Sequence, residues 1–280
     1  MNKIIRSIPE DNLDYPILIQ IGSSSGSGFF FRHLPTKKIF LATASHVLFD
    51  SQTGELLGPE ITLTVPNKAY SNKPGKLVIG VSEAIIRRKA EVDLAILEIA
   101  ASEDVEGESF SVNFLPIVKS ASKGGHIVTV HFDSFLKFND VIVGNDIFVL
   151  GYPNSLTGGQ IESFRPLLRK GIVAGINKSN STVLIDAPVY FGNSGGLVLQ
   201  VNNYSNDAYE IKPIGIVTEY VPFVEHLYSV ELGYMNQSIE NSGYAVVVPT
   251  DTIFDLVGET PEKNLEVKQT RKKNSTKLEH

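Results

Sequence analysis

The chain contains no cysteine, no long apolar run and no excess of positive charge. Without cysteine it forms no disulfide bonds of the kind that secreted proteins often rely on, and it suits a reducing compartment. Of its 280 residues, 42% are hydrophobic and 20% are charged, so it can bury a core without covalent cross-links. These values predict a globular protein.

The absence of a long apolar run bears on location. Lys3 and Arg6 make the start of the chain basic, but the apolar run of about seven or more residues that a signal peptide needs does not follow. No stretch approaches the roughly 20 apolar residues that span a bilayer. Together with the missing cysteines, this predicts a cytoplasmic protein that has no membrane partner.

The charge balance bears on partners. The formal net charge is −6 at pH 7, which argues against nucleic acid, because phosphate binding needs clustered lysine and arginine. The one basic cluster, at 271–273 with Lys277, lies in a polar tail over 259–280 that we expect to be disordered. The last three residues, 278–280, resemble the start of an affinity tag, and we assign them no role.

Short apolar runs separated by Gly, Pro, Asn and Ser fill most of the chain. Such spacing, without a long helical period, is typical of an all-β barrel or sandwich. The runs fall at 17–21, 28–31, 39–44, 61–65, 77–81 and 93–99, then at 127–132, 146–150, 171–176, 182–185, 197–201, 211–218 and 244–248. We predict one barrel over 1–118, with 101–125 as a crossing segment, a second barrel over 119–258, and a helix over 250–257 at its end.

A serine set among glycines stands out at Gly192-Asn193-Ser194-Gly195-Gly196. Glycines allow positive φ and leave space beside the backbone, so a reacting group can approach both the Ser194 hydroxyl and nearby N–H groups. A hydroxyl is a weak nucleophile unless a base removes its proton and a third group orients that base.

A second glycine-rich stretch, at 22–28, is not a phosphate loop, because no lysine and no helix follow it.

One histidine and one aspartate suit those two roles. His46 comes just after the apolar run 39–44, and Asp93 opens the run 93–97, which is apolar at both parities, as in a strand covered on two faces. Burying a carboxylate without a partner costs several kcal/mol, so His46 is the natural partner for Asp93. Taken separately, His46 also fits a hydrogen-bonded core histidine, and Asp93 a turn residue.

The order His46, Asp93, Ser194 is that of the chymotrypsin type, and neither the subtilisin nor the α/β-hydrolase order. Segments 43–46 (Thr-Ala-Ser-His), 92–97 (Val-Asp-Leu-Ala-Ile-Leu) and 192–196 resemble the three signatures of trypsin-like serine peptidases. The chain most resembles the HtrA (Deg) branch, without a PDZ domain, over about residues 17–257. The resemblance implies two six-stranded antiparallel Greek-key β-barrels, with the catalytic cleft between them.

The resemblance also implies roles for individual residues. The backbone N–H groups of Gly192 and Ser194 would hold the oxyanion, and the Thr218 hydroxyl would bond Asp93. Asn193 replaces the aspartate that pairs with a new N-terminus in trypsin, so we expect no proteolytic activation of that kind. The residues expected to line the primary specificity pocket are Pro188, Val189, Tyr190, Phe191, Thr218, Glu219 and Tyr220. With no acid at Pro188, the pocket base, we expect cleavage after small or medium apolar residues.

Other features of the sequence bear on this interpretation. Gly-x-Ser-x-Gly at 192–196 also fits an esterase elbow, but a strand pattern rather than a helix follows it. His126 and His131 would lie on opposite faces of a strand, so we expect no metal site, and no cofactor is implied. A catalytically weak barrel that binds peptides is the alternative function.

Segments 119–140 and 220–242 exceed the usual family lengths, and we predict a regulatory protein partner at the loop 220–242.

Overall fold

A computed structural model describes residue 8, residue 231 and the ranges 10–65, 74–82, 85–105, 110–121, 127–154, 164–203, 209–229 and 233–258. The predicted tail over 259–280 and His126 lie outside the described residues.

The first half of the chain forms one sheet of ten strands. They are β1 (Pro16–Ile21), β2 (Ser24–His33), β3 (Lys38–Ala44), β4 (Glu60–Val65), β5 (Gly75–Gly80), β6 (Ile86–Lys89), β7 (Leu94–Asp104), β8 (Phe110–Phe114), β9 (Val118–Ala121) and β10 (Thr129–His131). The order is β6-β7-β3-β2-β1-β4-β5-β9, with β8 added to β7 and β10 added in parallel to β2. The expected two-barrel, all-β architecture is confirmed, but the six strands expected here are ten.

The first sheet curls around a single core. Ile17 and Ile19 of β1, Leu41 of β3, Ile79 of β5 and Leu97 of β7 are all buried in that one cluster, although β5 and β7 lie far apart in the strand order. Only a strongly bent sheet brings such strands onto a common interior. This half is therefore barrel-like.

The second half is a closed six-stranded barrel. Its strands are β11 (Asp146–Gly151), β12 (Leu167–Asn177), β13 (Thr182–Asp186), β14 (Leu197–Asn203), β15 (Tyr209–Ser229) and β16 (Tyr234–Pro249), closed in the order β11-β12-β13-β16-β15-β14. Ile147 and Val149 point into the barrel, whereas Phe148 and Leu150 point outward, as the two-residue period of a strand requires.

The outward-facing side chains of both halves form a third core between them. Phe29 and Phe31 of β2 pack there with Phe148 and Leu150, while Phe30 faces the interior of the first half. This apolar seam fixes the two halves against each other.

Helices are short and few in the described part of the chain. α1 (Ser45–Leu48) is one turn, and α2 (Thr250–Gly258) confirms the expected terminal helix, with Ile253 and Leu256 buried in the seam. The 3-10 turns are Glu10–Asp14, Leu34–Thr36, Ala90–Val92, Phe132–Ser134 and Phe138–Asp140. Within the described residues, no helix combines the length and apolar character that a membrane span requires.

Three expectations about connecting segments were wrong. The run 127–132, assigned to the second barrel, contains β10, which pairs with β2 of the first sheet, and the crossing segment 101–125 contributes β8 and β9 to that sheet. The segment 220–242, expected as a loop, is instead a β-hairpin in which β15 and β16 continue beyond the barrel. We call residues 220–229 and 234–242 the arm.

Candidate active site

Strand register brings His46 and Asp93 together. Ala44, the last residue of β3, pairs with Leu94, the first residue of β7, so the residues just beyond these two strand ends are neighbours. His46 lies in the single turn of α1, and Asp93 follows a 3-10 turn with a left-handed φ of 56°. The N–H of Ser45 donates to the Asp93 carbonyl at 3.0 Å and ties the two segments.

The Asp93 carboxylate holds His46 at two points. Its Oδ2 lies 2.6 Å from Nδ1 of the imidazole, and its Oδ1 accepts the His46 backbone N–H at 2.9 Å. A carboxylate accepts rather than donates, so Nδ1 carries the proton and Nε2 keeps a free lone pair. Both side chains are about one-third exposed, so this free nitrogen stays accessible to a reacting group.

The serine loop requires its glycines. Gly192 has a φ of +95°, and a Cβ there would lie 2.1 Å from the carbonyl oxygen of Tyr152. Gly195 has a φ of +81°, and its Cβ would lie 2.1 Å from the carbonyl oxygen of Ser27. Two sharp turns packed tightly against the barrels thus present Ser194, which is half-buried, between them.

Two backbone N–H groups of this loop have no acceptor among the described residues. The N–H of Asn193 donates to the Tyr190 carbonyl at 2.9 Å. By contrast, the N–H groups of Gly192 and Ser194 meet no protein acceptor in the part of the chain that the structure describes. They are therefore available to a negatively charged oxygen beside the Ser194 hydroxyl.

Ser27 of β2 clamps the loop, and sequence reasoning missed it. Its hydroxyl, fully buried, donates to the Gly192 carbonyl at 2.6 Å and accepts the Tyr152 N–H at 2.8 Å. Its backbone N–H donates to the Ser194 carbonyl at 2.8 Å. The available signal was the flanking Gly26 and Gly28, since glycine within a strand marks close approach of another backbone.

His46, Asp93 and Ser194 line one cavity of about 500 Å³ between the two halves. Six of the seven residues predicted for the specificity pocket line it as well: Val189, Tyr190, Phe191, Thr218, Glu219 and Tyr220. Pro188, predicted as the base of the pocket, is not among the residues that line it.

Two contacts that the triad model suggests are absent among the described residues. No hydrogen bond joins the Ser194 hydroxyl to the His46 ring, and none joins Thr218 to Asp93. The second is a correction: Thr218 is buried at the bulge of β15 and lines the cavity without reaching the carboxylate.

The cavity wall is aromatic, with charges at its edge. Phe191 and Tyr220 meet edge to face with ring centroids 6.4 Å apart, and Phe49 packs under the Arg88 guanidinium at 4.1 Å. Asp50 accepts backbone N–H groups from the turn that follows it, which lower the pKa of its carboxyl. In the described ranges, no three His, Asp or Glu side chains cluster as a metal site would require.

Comparison with known proteins agrees with this fold. Residues 26–204 match the family model described as trypsin-like peptidase domain, and that segment contains all three candidate residues. No curated protein sequence matches the chain.

Solved structures with a similar fold cover most of the chain. Human heparin binding protein is 12% identical at a TM-score of 0.50, covering 91% of this chain and 97% of its own. Deg5 is 18% identical at 0.48, covering 89% and 94%. The protease Anisep from Arthrobacter nicotinovorans is 14% identical at 0.44, covering 84% and 88%. Identities this low speak to the fold alone.

Proposed function

Because the chain belongs to the family of trypsin-like peptidase domains, whose model matches more than half of it, we propose that it is a serine endopeptidase. The observation that carries the proposal is the 2.6 Å contact between His46 Nδ1 and the Asp93 carboxylate, at a cavity that Ser194 also lines. This contact leaves Nε2 as a base facing a space where a peptide bond can enter.

In the proposed reaction, His46 takes the proton of the Ser194 hydroxyl as Oγ attacks the carbonyl carbon of the substrate. The tetrahedral intermediate expels the amine, which receives that proton from His46, and an acyl-enzyme remains. Water, deprotonated in turn by His46, then releases the acid and restores Ser194. Asp93 holds the ring in the Nδ1–H tautomer and stabilises the imidazolium.

The missing bond between Ser194 and His46 fits this scheme. Catalytic hydrogen bonds are often long or poorly aligned before substrate enters, and rotation about the Cα–Cβ bond of a serine moves its hydroxyl at little cost. We assign the oxyanion to the two unpaired N–H groups, of Gly192 and Ser194. Loss of one such donor typically costs about 2.7 to 4 kcal/mol in the transition state.

We propose cleavage after small or medium apolar residues. Val189, Tyr190, Phe191 and Tyr220 give the cavity an apolar and aromatic lining. Asp50, Asp93 and Glu219 are the carboxylates that line the cavity, and Glu219 is the one among the residues predicted for the specificity pocket. A peptide library showing strong preference for lysine or arginine would contradict the proposal and point to Glu219.

We further propose that the enzyme acts in the cytoplasm. We also propose that it needs no trypsin-style activation, because Asn193 carries no charge that could pair with a new N-terminus.

A protein partner at residues 220–242 stays a proposal as well. A partner bound there would influence the cavity through Asn241 at the base of the arm. The side chain of Asn241 donates a hydrogen bond to the Val189 carbonyl at 2.6 Å. Full activity of the isolated chain on unfolded protein would count against the need for such a partner.

One observation favours the alternative, a peptide-binding barrel of weak activity. The arm exposes apolar side chains, with Tyr228 73% exposed and Met235 58% exposed, and such surface is typical of binding sites. Binding and cleavage are separated by the following experiment.

The test is to incubate an unfolded protein with the wild-type chain and to map new termini by mass spectrometry, with Ser194→Ala as the control. New termini after apolar residues that are absent from the control support the proposal. Identical peptide patterns in the two samples would refute it.

A further inference from the structure

One edge of the arm carries no neighbouring strand. β14 pairs with β15 only as far as Leu197 opposite Ile216, whereas β16 pairs with β15 out to Ser229. Beyond Val217, whose N–H and carbonyl bond the serine loop, the β14 side of β15 has no strand on it in the described part of the chain. An open edge of this kind offers a row of N–H and C=O groups for pairing.

Pro222 shows which groups face that edge. It pairs with Asn241 across the hairpin, and proline within a sheet turns its N side, which has no N–H, to the unpaired edge. Because strand residues alternate, Val224, His226 and Tyr228 share this orientation. Their N–H and C=O groups therefore point away from β16, toward the open edge.

The open edge begins at the candidate active site. Thr218, Glu219 and Tyr220 line the cavity, and the same strand continues, past a register shift between Tyr220 and Pro222, through Val224 to Tyr228. An extended chain lying in the cavity and continuing past Tyr220 would thus meet the edge of the arm directly.

The side chains of the arm indicate what would lie there. Phe223, Val224, Leu227 and Tyr228 are all exposed large apolar residues. The acidic residues of this region are Glu219, Glu225, Glu231 and Glu240, and residues 219–242 contain no lysine or arginine. The surface suits an apolar segment with positive charges, and two acidic arms would repel each other, which argues against a second copy of the chain.

We propose that the open edge of β15 over residues 224–228 binds, as an added β-strand, an extended segment of the polypeptide substrate outside the cavity. Apolar and basic residues are preferred in that segment. Main-chain hydrogen bonds supply the affinity, and the apolar and acidic side chains supply the selection. This proposal rests on the proposed function, since it names the substrate class of the same site as long, unfolded polypeptide.

The kinetic test compares three synthetic peptides that share one cleavage sequence. One is short, and two carry about eight more residues of alternating valine and lysine on the N-terminal or the C-terminal side, enough to run along the edge. We expect the extension on one side to raise kcat/KM about tenfold, equivalent to 1.4 kcal/mol. Equal values for all three peptides would overturn the proposal. Equal values are also the result expected if a separate protein partner, and not the substrate, binds this edge.

Matched variants locate the effect on the edge. Val224→Pro removes one N–H that points toward the open edge. Val224→Ala keeps that N–H but also removes the valine side chain, so it is the matched control. We expect V224P to abolish the gain from the extension while the short peptide is cleaved as before, and V224A to keep most of the gain. A gain that survives in V224P would overturn the proposal. Glu225→Gln and Glu240→Gln should reduce the preference for lysine over norleucine in the extension.

Binding gives a readout that does not depend on catalysis. The fluorescent extension peptide without the cleavage sequence is titrated into the S194A protein and followed by anisotropy. Saturable binding that V224P weakens supports the proposal even if no peptide is cleaved, in which case the proposed function alone fails. No binding at any concentration up to millimolar would overturn it.

Discussion

The Ser27 hydroxyl of the first sheet donates a 2.6 Å hydrogen bond to the carbonyl oxygen of Gly192 in the second barrel. That bond fixes the peptide plane that lies between the N–H groups of Gly192 and Ser194, which meet no acceptor among the described residues. A strand of the first half thus holds the candidate oxyanion site of the second half in shape. A change in how the two halves pack should therefore change the geometry of that site.

Ser27→Ala should therefore slow catalysis more than it weakens the fold. Losing the two buried hydrogen bonds of this hydroxyl costs about 1 kcal/mol of stability each, and a loosened loop should lower kcat by on the order of a hundredfold. Steady-state kinetics with thermal unfolding measure both. Ser23→Ala, at an exposed turn position, is the control and should change neither. Wild-type kcat in S27A would show that the clamp is dispensable.

Gly192→Ala should abolish activity, because the new Cβ would lie 2.1 Å from the Tyr152 carbonyl oxygen and the loop must move. Gly144→Ala is the matched control: its φ is also positive, at +87°, but its Cβ would meet nothing within 4 Å. It carries the backbone strain of about 1 to 2 kcal/mol without the clash. Peptide hydrolysis by both variants checks this, and equal activities would contradict the assigned role of Gly192.

Asp93→Asn should lower kcat by about 10⁴-fold, the effect of the corresponding change in chymotrypsin-type triads, because the amide favours the wrong imidazole tautomer. The variant should keep its fold, since the amide oxygen can still accept the His46 backbone N–H. Asp50→Asn, which changes another cavity carboxylate without touching His46, is the control. A D93N rate within tenfold of wild type would exclude the proposed role for Asp93.

Asp104 should contribute to stability in a pH-dependent way. Hydrogen bonds from Arg32, then from Lys37, hold the pKa of its carboxyl below its usual range. A carboxyl whose pKa is depressed in the folded state stabilises the fold above its unfolded pKa, and that stability is lost as the pH falls through the folded pKa. The difference in melting temperature between wild type and Asp104→Asn should thus be present at neutral pH and close in acid. A constant difference would contradict this.

The triad candidates were visible in the sequence because each is tied to the end of an element with a strong local pattern. The buried runs before His46 and after Asp93 are β3 and β7, and their pairing brings the two residues together. The left-handed φ of Asp93 was not visible, since hydrophobic parity reports burial rather than backbone angle. Ser27 was missed because its role lies in contacts with residues over a hundred positions away.

The arm and the partners of β10 could not be read from the sequence for a different reason. A strand pattern predicts that a segment is extended and not which strand it pairs with, so the run 127–132 was assigned to the wrong half. In the arm, apolar residues such as Val224 and Tyr228 are exposed, so the alternation of buried and exposed positions that marks an ordinary strand is missing.

The central claim is that His46, held by Asp93, activates Ser194 as a nucleophile, and labelling with a fluorophosphonate tests it most directly. Mass spectrometry of the wild-type chain should show one phosphonyl group, located on Ser194. His46→Ala should react far more slowly, and S194A should not react. An unlabelled wild-type chain, or equal labelling of wild type and S194A, would contradict the account.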